Sequence, residues 1–111
     1  MESILTSIKK LLGIPEEYTV FDPDLIMHIN TVFMTLRQLG VGPVEGFRIE
    51  DDMATWNDYI IESENLDAVK SYIHLKVKLL FDPPLNSAVI EAIKQSVNEL
   101  EWRLNLQAET N

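Results

Sequence analysis

Few side chains in this sequence have the type and spacing that catalysis or metal binding requires. The two histidines, His28 and His74, stand in separate predicted helices, without the H-x-x-x-H or H-E-x-x-H spacing that places two imidazoles on one helix face for zinc. The sequence has no cysteine, which removes disulfides and thiolate metal sites. We therefore interpret both histidines as boundary residues on helix faces.

The carboxylates are the most numerous ionisable groups, and they are unevenly spread. The formal net charge is −9, and eight acids but only one base, Arg48, lie between Glu45 and Asp67. The run Glu50-Asp51-Asp52 is consecutive, whereas a calcium loop takes its ligands from alternate positions. No glycine-rich loop is followed by the Lys-Ser/Thr pair of a phosphate site. We predict no enzymatic activity, no metal and no cofactor.

The acidic charge also limits the partners of the chain. Binding to DNA through its phosphates is disfavoured by a net negative protein. The acidic segment is either a solvated surface or a surface that avoids a polyanion or meets a basic partner. The candidate residues for an acidic surface are Glu50, Asp51, Asp52, Glu62 and Glu64.

Length and hydropathy favour one helical domain. A chain of 111 residues has room for a single core, and we take residues 1–111 as one domain with a flexible tail of a few residues. The 46% apolar content argues against disorder, while no apolar run approaches the roughly 20 residues of a membrane span. No signal peptide opens the sequence, so we expect a soluble protein made in the cytoplasm, without a membrane partner.

The element that organises this domain is the segment 66–81. On a helix, its apolar residues cover two faces instead of one stripe. One face consists of Leu66, Val69, Ile73, Val77, Leu80 and Phe81, and the other of Ala68, Tyr72, Leu75 and Leu79. Because such a helix must be covered on two sides, we predict an all-α bundle of four to five helices around it, with one extended loop or short hairpin.

Helix signals define the surrounding elements. Residues 3–12 are predicted to form a short amphipathic helix that ends at Gly13, with an apolar face of Ile4, Ile8, Leu11 and Leu12. We expect this face to pack on the protein core and not to bind a membrane. Asp22 is placed to cap a second helix with Pro23 at its first position, and this helix runs to Leu39 and stops at Gly40. Its predicted core face is Leu25, Ile26, Ile29, Val32, Phe33, Leu36 and Leu39.

Three further caps are predicted in the second half of the chain. Thr55 and Asp58 form a capping box for a single-turn helix through Tyr59 and Ile60. Asn65 is a cap for the central helix. A last helix, capped by Asn86 or Ser87, runs to about Gln107, with a core stripe of Val89, Ile90, Ile93, Val97, Leu100 and Leu104.

Three groups of apolar residues have no obvious place in the core and are candidate protein interfaces. Met27 and Met34 lie on the outer side of the second helix, and Trp102 with Leu106 lie opposite the core stripe of the last one. In the loop 40–50, Phe47 and Ile49 alternate with Arg48, a pattern that suits strand addition to a neighbouring chain. The alternatives are that Phe47 and Ile49 fold back onto the core and that the first helix covers Trp102.

Five stretches together resemble the small head-tail connector, or adaptor, proteins of tailed phages and prophages of Gram-positive bacteria. They are FDPDLIMHIN (21–30), LGVGP (39–43), TW (55–56), YIHLKVKLLFDPP (72–84) and ELEWRLN (99–105). The resemblance covers about residues 3 to 105. Its motifs are helix faces and helix ends, so the resemblance depends on their order and spacing together. It implies no catalytic residue.

The resemblance implies a structural virion protein that acts in the neck after assembly in the host cytoplasm. It would form a ring of about a dozen copies below the portal protein, extend the DNA channel and dock the next head-closure or tail protein. DNA would pass an acidic lumen without specific binding. Two alternatives remain open: another neck component, expected to be rich in strands, and a small acidic inhibitor that mimics DNA.

Overall fold

The computed structural model describes residues 2–59 and 63–110, with the side chains of residues 63, 64 and 110 excepted. Five helices and no strand are found in these two ranges, so the predicted all-α class is confirmed. Residues 47–49, whose alternating pattern suited strand addition, form irregular chain. The helices are α1 Ile4–Leu12, α2 Asp22–Gln38, α3 Trp56–Tyr59, α4 Ser63–Phe81 and α5 Ser87–Thr110.

Helix α4 is the central element, as its two apolar faces predict. It packs against α1, α2 and α5. Val69, Tyr72, Ile73 and Val77 are fully buried, and they come from both predicted faces. Leu75 is only partly buried and Leu80 is half exposed, so the coverage is incomplete towards the C-terminal end of α4. The predicted cap at Asn65 is wrong, because α4 already begins at Ser63.

Helix α1 ends at the predicted residue, and Ser3, the predicted first residue, is its cap. The Ser3 hydroxyl accepts a hydrogen bond from the Thr6 amide at 3.2 Å, and Gly13 ends the helix in the left-handed conformation (φ 80°). Its buried residues are Ile4, Leu5, Thr6, Ser7, Ile8 and Lys9. Leu11, in the last turn, is half exposed, so its assignment to the core is wrong.

Helix α2 begins one residue before the predicted start, and the predicted cap at Asp22 is wrong. Asp22 is the first helical residue, and Phe21 occupies the capping position without a side-chain hydrogen bond. The Asp22 carboxylate instead lies 2.9 Å from the ammonium of Lys9. Five residues of the predicted core face are buried: Leu25, Ile29, Val32, Phe33 and Leu36. Ile26 and Leu39 are partly buried.

Helix α3 carries the predicted capping interaction and ties the middle of the chain to its beginning. The Asp58 carboxylate accepts from the Thr55 amide at 2.9 Å, while Ile60 falls outside the described residues. Trp56 is buried, and its indole nitrogen donates to the Ser7 hydroxyl at 2.9 Å. The adjacent backbone pairs with the start of α1 through the Ile4 amide and the Ala54 carbonyl, 2.9 Å apart.

Helix α5 is capped by Asn86, whose side-chain Oδ1 accepts from the Ala88 amide at 2.8 Å, and it continues past Gln107 to Thr110. Only Val97 and Leu104 of its predicted core stripe are fully buried. The described part of the molecule measures 39 × 36 × 20 Å. In this flat arrangement α5 is covered mainly by α4, so much of its surface stays open.

Candidate assembly surfaces

The loop proposed for strand addition is packed against the core. Ile49 is 1% exposed, its amide donates to Asn30 Oδ1 at 2.7 Å, and its carbonyl accepts from Asn30 Nδ2 at 2.9 Å. The ring of Phe47 meets those of Phe33 and Tyr59, with centroids 5.0 and 5.2 Å away. Ile49 therefore has no exposed surface to offer a partner, and Phe47 has a packing role. In so short a loop, the alternation of apolar residues could not distinguish an exposed interface segment from one packed on the core.

A groove on the outer side of α2 contains the other candidates from the first half of the chain. Met27 and Met34 are 58% and 62% exposed, as predicted. Between them and the 45–48 loop segment lies an open groove of about 650 Å³. Arg37 and Arg48 line it, and the Arg37 guanidinium holds the loop by donating to the Val44 carbonyl at 2.8 Å.

The second candidate surface lies on the C-terminal half of α5. Trp102 is 65% exposed and Leu106 is about half exposed, so the first helix does not cover the indole. Two contacts fix the orientation of α5. Glu101 accepts a 2.6 Å hydrogen bond from the buried Tyr72 hydroxyl, and Asn105 donates to the Leu39 carbonyl at 3.2 Å.

A third apolar surface was missed by the sequence analysis. Leu75 of α4 and Val89 and Ile93 of α5 line a shallow groove, and Leu85 beside it in the turn is fully exposed. The helical period assigned Val89 and Ile93 to the core. The structure corrects this for Val89, which is 45% exposed because no described element covers the α4 and α5 surface at that end, whereas Ile93 is partly buried and packs against the core as predicted. The Pro83-Pro84 turn could have indicated this open surface, because it places the start of α5 next to the end of α4, where coverage by the other described helices is incomplete.

The acidic residues form a surface segment without a binding geometry. Glu50, Asp51 and Asp52 are exposed, and Asp51 accepts a hydrogen bond from the Met53 amide at 2.8 Å. Glu62 lies outside the described residues, and the side chain of Glu64 is not described. Within the ranges that the structure covers, no group of three or more histidines and acids could hold a metal ion.

The histidines occupy separate places on the bundle. Burial, together with the positive charge of Lys78, lowers the pKa of His74. His28 has its ring edge-on to Phe81, with centroids 6.4 Å apart.

Tyr72 and Tyr59 are the other described residues away from the chain ends whose side-chain pKa is shifted. Burial raises the pKa of both, and the bond to Glu101 adds to the rise at Tyr72.

A comparison with known protein families identifies the family of this chain. The sequence matches the family described as phage connector protein over residues 4–111. The chain belongs to the phage connector protein family. No curated protein and no solved structure was found to match it.

Membership of the connector family confirms the resemblance and gives the open surfaces a context. A phage connector is a structural component that interacts with other virion proteins. None of the described helices is both long and apolar enough to cross a membrane. The apolar side chains of Met27, Met34, Trp102 and Leu106 are therefore best interpreted as candidate protein contacts.

Proposed function

We propose that this connector is a head-tail adaptor in the virion neck, where copies form a ring of about a dozen subunits below the portal protein. The ring extends the DNA channel and docks the next head-closure or tail protein. The family match over residues 4–111 is the observation that carries this proposal. The chain contributes contacts and a channel wall, and no chemistry.

The distribution of open surfaces supports a ring. Subunits that close a ring head to tail need two different side faces, and each end of the ring needs a further surface for its partner. The connector exposes apolar residues on the outer side of α2, on the outer side of α5 and at the turn before α5. α2 and α5 both pack on α4, and each keeps exposed apolar side chains away from it.

The acidic charge supports passage of DNA without binding. The net charge is −9, and Glu50, Asp51 and Asp52 project from the surface without ion pairs among the described residues. Carboxylates repel phosphates at short range, and at physiological salt the repulsion is screened beyond about 8 Å. An acidic channel wall would therefore leave the DNA mobile.

Deleting the gene from the phage or prophage tests the proposal. We expect heads that contain packaged DNA but are not joined to tails, because an adaptor acts after packaging. Electron micrographs of the particles give this result directly, and the wild-type gene supplied from a plasmid is the control that restores joined particles. Empty heads would instead indicate a packaging component.

Affinity purification of the tagged protein from induced cells tests the competing inhibitor reading. Recovery of portal and tail proteins supports the adaptor. Recovery of a nuclease or a repressor with neither of them would overturn it, and the acids between residues 45 and 67 would then be the binding site.

A further inference from the structure

The last turns of α5 contact the loop that forms one wall of the groove on α2. Asn105 donates a 3.2 Å hydrogen bond to the carbonyl of Leu39, the C-cap residue of α2. At the next residue, Gly40, the backbone lies so close to α5 that an added Cβ would be 3.2 Å from Cβ of Ala108. Gly40 also has a φ of 86°, which favours glycine. The end of α5 therefore packs on the residues where α2 ends and the loop begins.

The same loop is held at two further points before it reaches the groove. At Gly42 an added Cβ would lie 2.7 Å from the hydroxyl oxygen of the buried Tyr59, so the backbone runs directly over that side chain. The Arg37 guanidinium donates to the Val44 carbonyl at 2.8 Å. Residues 45–48 come next and line the groove. A continuous series of contacts thus leads from the end of α5 to the groove wall.

The turns of α5 that contact the loop also carry one of the open surfaces. Trp102 and Leu106 are 65% and 44% exposed, whereas Asn105 and Ala108 contact the loop. Leu104 is the last buried residue of α5 in the described chain. A helix end with so little buried surface frays at a low cost in free energy. The end of α5 therefore exchanges between a docked and a frayed state.

We propose that residues 105–108 are a clamp that keeps the loop 40–48 closed and the groove on α2 formed. Clamp docking and loop closure favour each other, because each provides the surface on which the other packs. A partner that covers Leu106 therefore stabilises the groove, and an occupant of the groove stabilises the docked end of α5. The inference rests on the proposed function only in treating these two surfaces as assembly surfaces.

Amide hydrogen exchange of the purified connector, measured by mass spectrometry, tests the clamp. Asn105→Ala removes the hydrogen bond to the Leu39 carbonyl, although alanine favours a helix more than asparagine does. We expect peptides that cover residues 40–48 to exchange roughly five-fold faster or more, while those of α1 are unchanged. Glu109→Ala is the matched control, since Glu109 is exposed in the same helix end, and both rates should stay as in the wild type.

A reverse experiment opens the loop from its other side. Arg37→Met removes the hydrogen bond to the Val44 carbonyl and keeps a long unbranched side chain in its place. Because coupling between two equilibria is reciprocal, peptides that cover residues 105–109 should then exchange faster, although position 37 lies in α2.

Three results would overturn the inference. Unchanged exchange of the loop in Asn105→Ala would mean that Tyr59 and Arg37 hold it without α5. Equal acceleration in the loop and in α1 would indicate general destabilisation and not a clamp. Unchanged exchange at 105–109 in Arg37→Met would show that the coupling is not reciprocal. All three measurements use the isolated protein, so failure of the clamp leaves the proposed ring standing, and absence of the connector from joined particles leaves the clamp standing.

Discussion

The ammonium group of Lys9 lies 2.9 Å from Oδ1 of Asp22, and only 3% of the lysine side chain is exposed. The same ammonium donates hydrogen bonds of 2.8 Å to the carbonyls of Glu16 and Tyr18. Asp22 Oδ1 is an ion-pair contact and not a well-directed hydrogen bond, since no hydrogen-bond partner of acceptable geometry is found for it in the described chain. One buried charge thus joins α1, the connection after it and the start of α2.

Replacing Lys9 should destabilise the connector strongly. Lys9→Ala leaves Asp22 and two carbonyls without their donor, and because 21% of the Asp22 side chain is exposed we expect a cost of about 3 kcal/mol, the lower end for a buried pair. Urea unfolding followed by helical circular dichroism measures the change. Lys10→Ala is the matched control, because Lys10 pairs with Glu2 on the surface and should matter little. Equal losses from the two substitutions would contradict the structural role of Lys9.

The two faces of α4 should differ in their response to truncation. Ile73→Ala creates a cavity at a fully buried position and should cost about 2 to 5 kcal/mol of unfolding free energy. Leu75→Ala should cost clearly less, because Leu75 lines the open groove with Val89 and Ile93. The comparison uses the same urea titration. A Leu75→Ala cost as large as that of Ile73→Ala would show that this groove is closed in the isolated protein.

Trp102 should matter for assembly and not for folding. Trp102→Ala removes a largely exposed indole, so helical content and unfolding free energy should hardly change. Association of copies should weaken by about 2 kcal/mol or more, the cost of a hot-spot residue, which is roughly thirty-fold in the dissociation constant. Sedimentation of the assembled protein measures association. A fall in monomer stability like that of a core substitution would identify Trp102 as packing.

Phe47 should behave in the opposite way. Phe47→Ala removes a ring that packs on Phe33 and Tyr59, so we expect a loss of about 2 kcal/mol or more in unfolding free energy. Urea unfolding of the isolated variant provides the measurement, with Val44→Ala as the control, since Val44 belongs to the same loop but is exposed. A variant as stable as the wild type but defective in assembly would restore Phe47 as an interface residue.

The raised tyrosine pKa values predict alkaline sensitivity. In the folded state, burial favours the neutral phenols of Tyr59 and Tyr72, and the hydrogen bond to Glu101 favours that of Tyr72 further. Their contribution to stability is therefore complete below the unfolded pKa of about 10 and is lost as the pH rises above it. Urea midpoints between about pH 8 and 11 should fall less steeply in Tyr72→Phe than in the wild type. Parallel curves for the two proteins would contradict the assignment.

The sequence predicted most elements because their signals are local. Ser3 and Gly13 bound α1, Thr55 with Asp58 caps α3, and the two-sided pattern of 66–81 indicated the central helix. These features depend on neighbours within a few residues, so one sequence is enough to recognise them.

The predictions that failed depend on distant partners. Aspartate is a residue type favoured at helix caps, but the carboxylate of Asp22 pairs with the ammonium group of Lys9 instead. Val89 has the helical period of a core residue, yet no described element covers it. Lysine side chains are usually exposed, so nothing in the sequence indicated that Lys9 is buried. Its burial is explained by the two carbonyls that accept hydrogen bonds from its ammonium group. The exposure of Met27, Met34 and Trp102 was predictable because each lies opposite the predicted core face of its helix.

The two tryptophans give the connector separate optical reporters. Trp56 is 2% exposed and hydrogen-bonded to Ser7, whereas Trp102 faces solvent. Emission from Trp56 should be blue-shifted and should change only when the chain unfolds. Emission from Trp102 should be that of a hydrated indole in the free protein and should shift to shorter wavelength when a partner covers it. Single-tryptophan variants would then follow folding and neck assembly independently, without any added dye.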